Sequence, residues 1–202
     1  MNTHSAGKME LSYKIILASN SPRRRELLGG LGIDFTVKVI GGIDESWPHD
    51  LKGEDIPLYI SREKAAPYKA TIAPDELVIT ADTIVYVDGE VLGKPADEAD
   101  AKRMLRMISG RWHEVITGVT LMTSERERSF AVTTKVRFCN LTDDEINSYV
   151  ESGLPMDKAG AYGIQEWIGY VGVEAIEGSY FNVVGLPVQR LYRELINFCI
   201  NE

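Results

Sequence analysis

A mixed α/β fold, with a central sheet covered by helices, is what this 202-residue chain predicts. Three observations predict it. Short apolar strand-like runs alternate with stretches of helical periodicity, which argues for strands joined by crossover helices. A hairpin signal, Asp88-Gly89, interrupts that alternation and brings in antiparallel pairing. Two long β-rich runs, 115–122 and 130–138, flank a charged turn around Ser124 and Arg128 and read as a second antiparallel pair. A purely parallel, doubly wound sheet would contain neither hairpin.

The elements follow in order. Residues 13–18 read as a buried strand. Ser21 is a good N-cap, and Pro22 suits the first helical position, where no N–H is needed. Leu27, Leu28 and Leu31 share one helical face, and Gly32 supplies the stop. Residues 35–40 read as a second strand, and the acidic stretch 41–55 as a loop. Residues 56–66 look helical, with Pro67 ending or kinking the helix. Residues 77–80 form a short apolar strand closed by Asp82; 84–87 and 90–92 make the hairpin. A helix over 97–108 turns Ala101, Met104, Leu105 and Ile108 inward. Thr142-Asp143-Asp144-Glu145 is a capping box that opens another helix. Residues 160–179 are glycine-rich and show no single period. Residues 187–199 close the chain as a helix with Val188, Leu191, Leu195 and Ile196 on one side. Residues 1–12 read as a polar tail and 13–202 as one domain with no repeat or linker.

Composition narrows the function. Hydrophobic residues at 44% and charged residues at 26% exclude a disordered chain, a collagen-like fibre and a coiled coil. No apolar run approaches the roughly 18 residues that span a bilayer. The polar start lacks an apolar signal core, so the expected location is cytoplasmic. Lys and Arg number 22 against 30 Asp and Glu, a net charge of −8. That sign opposes a long nucleic acid ligand, whose affinity comes mainly from phosphate neutralisation. A small anion held by local cations is compatible with it. Cys139 and Cys199 make neither a disulfide framework nor a four-thiolate zinc site. His4, His49 and His113 are scattered. The P-loop-like run from Gly89 to Pro95 is one residue short and has Pro95 where Ser or Thr is required.

Chemistry concentrates in a few segments. Leu17-Ala18-Ser19-Asn20-Ser21-Pro22-Arg23-Arg24 places a small-residue turn at a helix N-terminus. Free N–H groups and the positive dipole end favour an anion there, and two hydroxyls and two arginines add donors suited to phosphate oxygens. The bland alternative is a well-capped helix with solvated arginines. Asp82, in Ala81-Asp82-Thr83, ends a strongly apolar run where an unpaired carboxylate is costly. Ligands bind at the carboxyl ends of strands in open α/β sheets. Glu45, Lys64, Lys94 and Asp157-Lys158 are separate ionic residues; any one taken singly reads better as a solvated charge.

Together these segments resemble the Maf family of nucleoside triphosphate pyrophosphatases. The opening run with Glu26-Leu27-Leu28 is similar to that family's signature. Glu45-Ser46, Arg62-Glu63-Lys64-Ala65, Ala81-Asp82-Thr83, Gly93-Lys94-Pro95, Thr117-Gly118-Val119, Asp157-Lys158-Ala159-Gly160, Tyr162-Gly163-Ile164-Gln165 and Gly178-Ser179-Tyr180 follow in family order. The resemblance covers roughly residues 15–195. It implies two lobes around a cleft, similar to inosine triphosphate pyrophosphatases. It also implies hydrolysis of a nucleoside triphosphate to the monophosphate and pyrophosphate with a divalent cation, Mg²⁺ or Mn²⁺, and a homodimer. By the same resemblance Asp82 is the catalytic acceptor carboxylate. Arg23, Thr83 and Gln165 match positions tied to substrate choice. Ser19, Ser21, Arg24, Lys64 and Lys94 are phosphate-binding candidates, and Glu45 and Asp82 metal candidates. The Ala161-Tyr162-Gly163-Ile164-Gln165 run looks like the branch acting on dTTP and UTP. Alternatives are 7-methyl-GTP or a modified pyrimidine as substrate, or a nucleotide-sensing regulator of division linked to septum formation arrest. The chain departs from the family pattern at Pro67 and at Glu166-Trp167. Glu45 and Asp82 are each able to hold a cation or take a proton from water, and both assignments stay open.

Overall fold

The computed structural model describes residues 11–200; most of the expected polar tail lies outside the described residues. Within them the order is β1 (Lys14–Leu17), α1 (Pro22–Gly29), β2 (Phe35–Val37), α2 (Asp55–Ala65), β3 (Glu76–Val87), β4 (Glu90–Leu92), α3 (Glu98–Ile108), β5 (Trp112–Met122), β6 (Glu127–Phe138), α4 (Asp143–Glu151), α5 (Trp167–Gly172), β7 (Val173–Glu177), α6 (Tyr180–Val184) and α7 (Val188–Ile200). Short 3₁₀ turns follow α2 (Ala66–Ala70) and α4 (Leu154–Asp157, Ala159–Ala161). The described strands form one sheet in the order β2-β1-β3-β5-β6-β7, with β4 attached to β3. β1 runs parallel to β2 and β3, and the remaining pairs are antiparallel. This is the mixed sheet with covering helices that the sequence predicts.

Local chemistry accounts for most element ends. Ser21 accepts the Arg24 N–H at 3.4 Å, and Pro22 opens α1. Thr142 and Glu145 form both halves of the capping box on α4. Pro67 is the second residue of the 3₁₀ turn that follows α2, and the helix ends at Ala65. On α3 the four expected side chains are buried. On α7 the inward face holds Val188, Leu191, Leu195 and Phe198, while Ile196 is only half-buried. β2 stops at Val37, shorter than the 35–40 reading.

β3 corrects the sequence reading most. It runs unbroken from Glu76 to Val87, so Asp82 stands in its middle and not at its end. β5 keeps it extended by pairing from Val78 to Tyr86. Its other edge is shared by two short strands. β1 ends with Leu17 opposite Ile79, and β4 ends with Leu92 opposite Val85. Residues 80–84 of that edge pair with neither, and the sheet opens beside Asp82. The opening lies just past the carboxyl end of the parallel strand β1, the position where open α/β sheets bind ligands.

The core divides at the same place. Leu17, Leu28, Leu77, Ile79, Leu191 and Leu195 pack in one cluster. Val85, Leu92, Leu105, Ile108, Phe138 and Ile168 pack in another. Two lobes therefore share β3, β5 and β6, with the gap beside β3. Among the described residues no helix is long and apolar enough to cross a membrane.

Candidate active site

Between the lobes lies a cleft of about 730 Å³. Ser19, Ser21, Arg23, Arg24, Glu45, Lys64, Asp82, Thr83, Lys94 and Gln165 all line it. The ten residues singled out in the sequence thus converge from α1, the 41–55 loop, α2, β3, the turn after β4 and the segment before α5.

Packing sets the centre of the site. α2 lies against the sheet so closely that a Cβ on Gly118 of β5 would fall 2.3 Å from the Pro57 carbonyl oxygen. Thr80 donates to the Ser61 carbonyl at 2.6 Å, and the Ser61 and Thr120 hydroxyls are 2.9 Å apart. Asp82 follows Thr80 by two residues on the same strand face, and Lys64 follows Ser61 by one helical turn. The register that joins Thr80 to Ser61 therefore places Lys64 over Asp82. The Lys64 Nζ donates to Asp82 Oδ1 at 2.7 Å and stands 3.2 Å from Glu45 Oε1. Asp82 is 8% exposed. The buried carboxylate is thus paired, and the desolvation cost noted from its sequence context is offset.

Around this centre the donors differ in how committed they are. The Arg24 guanidinium donates to Gly185 O at 2.9 Å, Ala81 O at 2.8 Å and Thr83 Oγ1 at 3.0 Å. It braces the open edge of β3 on both sides of Asp82, leaving two of its five donors for a ligand. Burial lowers its pKa from the ordinary arginine value. Ser19 and Ser21 accept the Ser21 and Arg24 N–H groups, so each keeps its hydroxyl hydrogen to donate. Arg23 bonds Asp157 at 3.1 Å across the cleft mouth. Burial works against the Asp157 carboxylate, but hydrogen bonds from Lys158 and Arg23 hold it below the usual range. Lys94 and Gln165 are exposed at the rim.

The sequence marks Glu166 only as a departure from the family pattern and gives Tyr149 no role. Glu166, next to Gln165 in the chain, pairs with the Lys158 ammonium and accepts from the Tyr149 hydroxyl. A tyrosine on the inward face of a capped helix was the available signal for Tyr149. Tyr162 packs into the core: its hydroxyl lies 2.7 Å from His113 Nε2, and its ring meets Phe138 edge-on. Burial pushes the Tyr162 phenol up and the His113 imidazole down to about 4.

The description "Maf-like protein" matches residues 14–198. The chain belongs to the Maf family. Two curated relatives carry the name dTTP/UTP pyrophosphatase. The one from Bacteroides fragilis is 62% identical over 183 residues, covering 91% of this chain and 95% of the relative. The one from Phocaeicola vulgatus is 63% identical over the same shares. A solved structure described as a HAM1 protein from Coxiella burnetii aligns over 92% of this Maf chain and 99% of its own, at 16% identity and a TM-score of 0.49.

Glu45 and Asp82 approach one ammonium, so both can reach a shared cation. Hard oxygen donors suit Mg²⁺ or Mn²⁺, which bind through one or two carboxylates while phosphate oxygens and water complete the shell. Among the described residues no group of three or more His, Cys, Asp or Glu side chains forms an all-protein cage. The donor set fits a cation that shares its shell with a phosphate-bearing ligand.

Proposed function

We propose that this Maf protein hydrolyses dTTP and UTP to the monophosphate and pyrophosphate. The observation that carries the reading is the Lys64 ammonium between Asp82 and Glu45, set beside the serine–arginine turn of α1. Relatives named dTTP/UTP pyrophosphatase, the two described above among them, support the substrate class.

Chemistry at the α-phosphorus needs three things: neutralised phosphates, a water in line, and a stabilised leaving group. Ser19, Ser21, the free donors of Arg24, and Arg23 supply hydrogen bonds to phosphate oxygens. Asp82, oriented by Lys64, takes the proton from the attacking water. The bond from the α-phosphorus to the bridging oxygen then breaks, and pyrophosphate departs toward the exposed Lys94. When bound by Glu45 and Asp82, a divalent cation supplies charge neutralisation at the phosphates. Gln165 presents a donor and an acceptor, which match a pyrimidine N–H flanked by carbonyls.

A panel of triphosphates tests this. Pyrophosphate should be released from dTTP and UTP with Mg²⁺ or Mn²⁺, and not in excess chelator. Full turnover in chelator would remove the cation from the reaction, and preferred turnover of a purine triphosphate would replace the substrate class.

A further inference from the structure

Gln165 sits at the cleft rim on an irregular segment between the Ala159–Ala161 turn and α5. Its carboxamide makes no hydrogen bond to another described residue. A free amide on an unanchored loop would discriminate poorly between bases, because ordering it on binding costs conformational entropy. The neighbouring residue anchors it instead. Glu166 Oε1 lies 2.8 Å from Lys158 Nζ, and its Oε2 accepts from the Tyr149 hydroxyl. That hydroxyl in turn accepts the Gly163 N–H at 3.1 Å, and the Glu166 N–H bonds Gly163 O at 3.0 Å.

The clamp is tight and well supported. A Cβ on Gly163 would fall 2.7 Å from Glu166 Cδ and 2.9 Å from Lys158 Cε, so both side chains lie flat across that backbone. Lys158 also donates to Leu154 O and Asp157 Oδ1, each at 2.6 Å, which fixes its ammonium beside the Glu166 carboxylate. Asp157 accepts from Arg23 through its second oxygen, which ties the clamp to α1 across the cleft. Burial, and then the bond to Glu166, push the Tyr149 phenol up and keep it a donor.

We infer that Glu166 is a positioning residue for base selection: held by Lys158 and Tyr149, it fixes the turn that presents Gln165 to the base. This rests on the pyrimidine pyrophosphatase reading and adds the device that aims its base-reading side chain.

Glu166→Gln is close to isosteric but removes the carboxylate from both partners. In the full-length protein with Mg²⁺, the UTP-to-ATP ratio of kcat/KM should fall about 3–10-fold, with KM changing more than kcat. Combining it with Gln165→Ala should lower the ratio no further than Gln165→Ala alone, because both act through one side chain. The Gly163 and Glu166 amides should exchange hydrogen faster in the variant. An equal loss for both nucleotides, a fully multiplicative double variant or unchanged amide exchange would overturn the assignment. If the unmutated protein releases pyrophosphate from no triphosphate, the enzymatic reading fails instead. The clamp is then decided by amide exchange and the UTP-to-ATP ratio of Kd.

Discussion

Asp82 is the residue on which hydrolysis turns in this account. Its only direct ionic partner in the described hydrogen-bond network is Lys64, so Asp82→Asn keeps the shape and removes the base. Turnover of dTTP should drop about 10²–10⁴-fold with the melting temperature nearly unchanged; near-normal turnover would remove Asp82 from the mechanism. Gln165→Ala should lower kcat/KM for dTTP and UTP more than for a purine triphosphate. A neutral hydrogen bond is worth about 0.5–1.5 kcal/mol, so the change is several-fold to tenfold, and equal losses for all nucleotides would make Gln165 a support for the cleft. The residues that line the cleft stood out in the sequence because several short segments follow one another in family order. Their partners did not. The Arg24 brace uses two backbone carbonyls, Ala81 O and Gly185 O, which no side-chain pattern reports. The Lys158–Glu166–Tyr149 clamp joins two charges that, taken singly, look solvated to a tyrosine that reads as core.

At the scale of elements, the site depends on how α2 sits on β3 and β5. Gly118→Ala would force a methyl into the Pro57 carbonyl, and backbone cannot swing aside as a side chain can. Overpacking of this kind costs about 1–3 kcal/mol. The variant should melt lower and also lose turnover, since Lys64 shifts relative to Asp82. A normal melting temperature and normal kcat would show that α2 does not set that register. Helices were legible through caps and periodicity: Ser21, Thr142 with Glu145, and the α3 face each carry local physics. Strand extent was less so. β3 reads as an apolar run that stops at Thr80, yet β5 pairing carries the strand through Asp82 to Val87. β7 was hidden because an edge strand with mixed exposure has no clean alternation.

At the largest scale, two packed core clusters share the strands β3, β5 and β6, and acid stability reports on their integrity. His113 is buried neutral, with a pKa near 4 against an unfolded value of about 6.5. Between those values the unfolded chain binds a proton that the folded chain refuses, so stability falls as pH drops through the window. The loss attributable to this group is on the order of 3 kcal/mol. His113→Gln should therefore lose less unfolding free energy between pH 7 and pH 4.5 than the unmutated protein in urea titrations. An identical pH slope would mean that other groups carry the acid limb. If the cleft directs water to the α-phosphorus, the position of an oxygen isotope in the products reveals it. When dTTP is hydrolysed in ¹⁸O-water, mass spectrometry of the products should find the label in the monophosphate and none in pyrophosphate. Label in pyrophosphate, or release of orthophosphate as the first product, would contradict the account.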